Sequence, residues 1–128
     1  MHTQRLLLIG LGLWAAGTLL LRAAGGWLLR PGTAFAAAVQ VAALVGCGLL
    51  VRGICRWMRV PRPQVPAAAV CLVIPTLLLD SLSTTVLFPL LFPNLAADRA
   101  GAIAALMLAS CAGGLLATLP SAGRGARA

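Results

Sequence analysis

Lysine, tyrosine and glutamate are all missing from this 128-residue chain, and only 9% of its residues are charged. Soluble domains carry about a quarter charged residues, so these side chains cannot assemble a water-facing surface. All ten basic residues are Arg, the acids are Asp80 and Asp98 alone, and the one histidine is His2. With no Glu and a single His, the chain lacks the parts of a metal site, a haem ligand pair, or a Ser/His/Asp or Cys/His catalytic set. No enzyme, no cofactor and no metal is expected. Cys47, Cys55, Cys71 and Cys111 form no Cys-x-x-Cys pair and read as small apolar packing residues. The glycines lie inside apolar runs with no following Lys, which leaves phosphate binding unsupported.

What the chain does have is apolar length: 61% of its residues are hydrophobic. A membrane-crossing helix needs roughly 20 largely apolar residues. Four segments qualify, at about 6–29, 33–58, 67–90 and 100–119. They are continuous and rich in Leu and Ala rather than alternating, which argues for helices over strands. The expected fold is all-α: a single transmembrane domain over 1–128, a four-helix bundle in which short loops make neighbours antiparallel. The first segment is long for a signal peptide and lacks a clean small-x-small site before Arg22, so it reads as a span.

The net charge of +8 does not point to nucleic acid, because the Arg residues punctuate apolar runs instead of clustering on a soluble face. They serve to orient the chain. With the N-terminus in the cytoplasm, the inner side holds Arg5, Arg52, Arg56, Arg59, Arg62, Arg124 and Arg127, and the outer side Arg22, Arg30 and Arg99. That bias of seven to three places both termini inside. Trp57 would then mark the inner interface, and Trp27, Phe88 and Phe92 the outer one. Arg52, Arg56 and Arg59 on a helical extension would also attract anionic head groups.

Close packing in lipid relies on small residues. Two stripes recur at four-residue spacing: Ala34, Ala38, Ala42 and Gly46 in the second helix, and Gly101, Ala105, Ala109, Gly113 and Ala117 in the fourth. They are candidate packing faces, within the bundle or toward another subunit.

Asp80 is the central candidate. It lies inside the third span, and Thr76, Ser83 and Thr84 share its helix face. An ionised carboxylate in hydrocarbon costs at least about 2.5–3.5 kcal/mol, so it must be protonated, paired or hydrated. Two readings follow. Arg22, at comparable depth in the first helix, can pair with Asp80 and lock helix to helix. Alternatively, the neighbouring hydroxyls support the carboxyl as a proton or cation site. Gln40, midway along the second helix, can join either arrangement. Pro75 removes a backbone donor five residues before Asp80 and should kink the helix there.

The stretches Val73–Asp80 (VIPTLLLD) and Val86–Ala96 (VLFPLLFPNLA), with Leu21–Gly25 (LRAAG), resemble an uncharacterised family of small bacterial four-helix membrane proteins. The resemblance spans nearly the whole chain. It implies a bundle in a bacterial inner membrane and brings no established activity. The functional expectation is an accessory or structural membrane protein in contact with the lipid bilayer, as a homo-oligomer or part of a larger complex. The alternative is a small proton- or cation-coupled transporter using Asp80.

Overall fold

The computed structural model describes residues 2–29 and 32–119; Arg30, Pro120, Arg124 and Arg127 lie outside the described residues. Five α-helices form: α1 (Thr3–Leu28), α2 (Thr33–Trp57), α3 (Val65–Thr85), α4 (Phe88–Leu91) and α5 (Ala100–Leu116), with 3-10 turns at Arg62–Gln64 and Ala97–Arg99. Among the described residues there is no strand. Four of the helical segments are long and apolar enough to cross a membrane.

The helix ends follow local chemistry. The third span, expected at 67–90, stops at Thr85. Pro89 has no N–H, and its ring would meet the carbonyl of Thr85 four residues back, so the helix cannot run through. Pro89 instead opens the short α4, in the first-turn position where proline is tolerated. Pro66 does the same for α3, which therefore begins earlier than expected. Pro75 sits inside α3, which stays continuous around it.

The second span ends at Trp57 and does not carry Arg59 on a helical extension. Arg59 takes φ +51°, and the amides of Arg59 and Val60 close onto the carbonyls of Arg56 and Cys55. This is the two-bond C-terminal closure that glycine usually provides, here with an arginine in the left-handed conformation.

Sequential neighbours are not the main packing partners. α1 lies on α3, α3 on α5, and α5 on α2, whereas α1 and α2 meet mainly near their connection, where Trp27 and Phe35 stack edge to face at 5.7 Å. The spatial order is α1, α3, α5, α2. Successive long helices run in opposite directions, as short loops predict, but the largest contacts fall between α1 and α3 and between α2 and α5, which are not adjacent in sequence. Gly10 meets Leu72 and Gly25 meets Leu95 further along, so α1 runs parallel to the path of α3. Gly48 faces Gly113 and Ala117, and Leu44 faces Gly113, so α2 and α5 are parallel too. α3 and α5 run antiparallel, with Thr76 near Cys111 and Val73 near Gly114.

Two backbone contacts set the spacing. A Cβ on Gly10 would overlap the backbone of Leu72, and one on Gly113 would overlap the backbone of Leu44. Small residues permit this approach where hydrophobic drive between helices is weak. The α2 stripe is not part of it: Ala34, Ala38, Ala42 and Gly46 are all exposed. The helix meets α5 through Leu44, Gly48 and Val51, a face displaced from that stripe. Along α5, Gly101 and Ala105 are exposed, Ala109 is half-buried and Gly113 is buried. A four-residue count drifts about 40° per step on a 3.6-residue helix, so one such stripe does not stay against a straight neighbour.

Two clusters fill the interior. Leu6, Val51, Cys55, Ala68, Ala69 and Leu72 form one, and Leu21, Phe88, Phe92, Ile103, Leu106 and Met107 the other. Phe88 and Phe92 are core residues 5.5 Å apart by ring centroid, not outward-facing interface rings. The break at Val86 and Leu87 turns them inward. Trp27 and Trp57 are exposed.

Gly113→Ala is expected to lower thermal stability in detergent by about 1–3 kcal/mol, as overpacking does. Gly46→Ala, whose Cβ meets nothing within 4 Å, should be neutral or stabilising. Equal destabilisation by the two would contradict the α2–α5 contact. Arg59→Gly should stabilise the chain by roughly 1 kcal/mol through relief of the left-handed turn, read in the same melting experiment.

Candidate functional site

The buried side of α1 is the stripe Leu6, Gly10, Thr18, Leu21 and Gly25, with Trp14 between Gly10 and Thr18. Gly10 brings this face directly onto α3. Trp14 Nε1 is buried beside the Asp80 carboxyl but outside hydrogen-bonding geometry. Thr18 Oγ1, one helical turn further on, is also buried and without a partner, in a residue only 7% exposed. Asp80 itself is half-buried on α3.

Thr76, Ser83 and Thr84 do not donate to the Asp80 carboxyl. Ser83 donates to the Leu79 carbonyl at 2.6 Å and Thr84 to the Asp80 carbonyl at 2.9 Å. Thr76 donates to the Val73 carbonyl at 2.5 Å and lies 3.7 Å from Cys111 Sγ on α5. A Ser or Thr hydroxyl inside a helix reaches the carbonyl one turn back, and in an apolar setting that acceptor is always at hand. Cys111 in turn lies within electrostatic range of Asp80 and of Cys47 on α2. All four cysteines are free thiols.

Arg22 is not brought to Asp80. It is exposed, and it stands two turns, about 12 Å, beyond Trp14 along α1. Counted from Gly10 in steps of four, Trp14 and Thr18 stay on the α3 side, but the third step has rotated about 120° and carries Arg22 off it. Leu21 and Gly25 take over the buried side. Gln40 is exposed on α2 and lines a groove of about 250 Å³ with Arg99, Leu28, Leu29, Val39 and Leu106, away from Asp80.

The arginines that do engage the fold are Arg99 and Arg52. Arg99 Nη1 donates to the Leu29 carbonyl at the end of α1, and Arg52 Nε donates to the Ala117 carbonyl at the end of α5, 2.7 Å away. Both place a cation on unpaired carbonyls at the negative pole of a helix. Loop charge alone marked them as boundary residues; the partner carbonyls lie 70 and 65 positions away in sequence. Trp14 and Thr18 were also missed. Their only signal was their register four and eight residues after Gly10.

Chemically, the site is one carboxyl faced by one indole N–H, with a hydroxyl on the next turn. No group of three or more His, Cys, Asp or Glu that could hold a metal ion occurs among the described residues.

A family model described as a family of unknown function, DUF5367, matches residues 29–123. The chain belongs to this family. The DUF5367 match contains α2 to α5, and thus Asp80, whereas α1 with Trp14, Thr18 and Arg22 precedes it. No curated protein and no solved structure matches the chain.

Arg22→Gln is expected to change stability by less than about 0.5 kcal/mol, as for an exposed side chain. Arg99→Gln, which strips a charged donor from the α1 terminus, should cost about 1 kcal/mol. If Arg22→Gln proved the more damaging in thermal melts, the placement of both arginines would be in error.

Proposed function

We propose that this DUF5367 member is a four-helix bundle of the bacterial inner membrane with both termini in the cytoplasm, and that it is a small proton- or cation-coupled carrier working through Asp80. Membrane residence is supported by four helices of spanning length and composition. Orientation is supported by the excess of Arg on one side, which follows the positive-inside rule.

The observation that carries the coupling role is the surroundings of Asp80. An accessory role for this residue calls for a paired acid that fixes one helix on another. Arg22 points elsewhere, and the polar neighbour of the carboxyl is an unsatisfied N–H. Intramembrane acids are costly and are characteristic of ion and proton pathways. A carboxyl with no fixed counter-charge among the described residues can change its protonation state without dismantling a salt bridge there.

The accessory reading keeps one observation of its own: the exposed Ala34, Ala38, Ala42 and Gly46 stripe, which has no use inside the chain and suits a close helix–helix contact with another subunit.

Vesicles containing the purified chain, given an imposed pH gradient and an internal pH-sensitive dye, should dissipate the gradient faster than empty vesicles. Asp80→Asn should abolish that difference while retaining expression. Flux unchanged in Asp80→Asn would end the carrier reading. Stoichiometric co-purification with a larger assembly, with no flux at all, would favour the accessory one. A C-terminal alkaline phosphatase fusion should be inactive and a fluorescent-protein fusion bright.

A further inference from the structure

Resting on the carrier reading above, we infer that the species bound at Asp80 is a proton and not a metal cation, and that Trp14 and Thr18 on α1 complete the site. A cation held at a membrane carboxylate needs several oxygen ligands turned toward it. Here the hydroxyls of Ser83 and Thr84 are directed at backbone carbonyls of their own helix. The group that faces the carboxyl is Trp14 Nε1, a donor without lone pairs. Its N–H dipole presents a positive end, which repels a cation and suits a carboxyl oxygen in either protonation state.

Two buried polar atoms on successive turns of α1, Trp14 Nε1 and Thr18 Oγ1, are left without partners. Buried polar groups in folded proteins are almost always satisfied. This pair marks a wall of α1 prepared for an exchangeable hydrogen-bonding group. Asp80 takes one proton from a hydronium ion: one O–H bond of the donor breaks as one forms on the carboxylate, the donor leaves as neutral water, and the positive and negative charges cancel. In the neutral state its carbonyl oxygen accepts from Trp14 and its new O–H becomes a donor. Thr18, able to donate and accept, offers the next hydrogen-bonding position along α1.

The other ionisable groups around Asp80 do not substitute for it. From α5 the site is faced by Cys111, with Cys47 of α2 beyond it. α1 contributes no ionisable side chain there, Arg22 being exposed. Thiols are uncharged near neutral pH.

Trp14 makes the proposal measurable. In the full chain carrying Trp27→Phe and Trp57→Phe, both at exposed positions, Trp14 is the remaining tryptophan. Its emission in detergent should shift with pH in a single transition and stay constant when Na⁺ or K⁺ is raised at fixed pH. Asp80→Asn should remove the pH response. Infrared difference spectra of the unsubstituted chain give a second readout that needs no variant at the site. Only Asp80 and Asp98 carry carboxylate side chains, so a protonated-carboxyl band shifting in D2O, and persisting above the pH where exposed acids ionise, belongs to Asp80.

A pH response that survives Asp80→Asn, or no such infrared band, overturns the proposal. An emission change driven by Na⁺ or K⁺ overturns it too, while leaving coupled transport intact with a metal ion as the coupling species. The expected spectroscopy without proton flux in vesicles upholds the proton site and removes the carrier reading.

Discussion

Close backbone approach at two glycines governs this molecule. With Gly10 against Leu72, α1 is held on α3; with Gly113 against Leu44, α2 is held on α5. Both pairs are parallel, and the antiparallel α3–α5 contact joins them. The polar contact between α1 and α3 depends on the first of these approaches. α1 sits near enough to α3 for an indole on one helix to stand beside a carboxyl on the other.

Much of the fold was legible in the sequence, for a simple reason. In a bilayer every backbone group must be satisfied within its own segment, so apolar length alone fixes where helices run. Proline positions then account for the differences at both ends of the third span: Pro66 sets the start of α3, and Pro89 stops it short of residue 90. Partner choice was not legible. Short loops argued for hairpins, yet α1 and α2 share little beyond their connection, because the tight glycine contacts lie between helices that are not adjacent in sequence.

The site was half legible. Asp80 stands out because charge is rare in an apolar run, but what surrounds its carboxyl depends on packing that the run does not reveal. Hydroxyls on the same helix face were credited to the carboxyl, though each has a nearer carbonyl one turn back in its own helix. Arg22, one of the two candidate neighbours by depth, is carried off that face by the rotation that accumulates over twelve residues of helix. Trp14 went unnoticed because a tryptophan inside an apolar run reads as bulk; its N–H matters only once a neighbouring helix is known.

The pairing order bears on how the chain is made. Helices leave the ribosome in sequence, but α1 finds its main partner only when α3 has emerged, and α2 only when α5 has followed. The nascent protein therefore spends much of its synthesis with its long helices unpaired, Gly10 waiting for Leu72 and Leu44 for Gly113. Truncation after α4 would remove the surface on which α2 rests, so losing α5 would strand a helix made long before it.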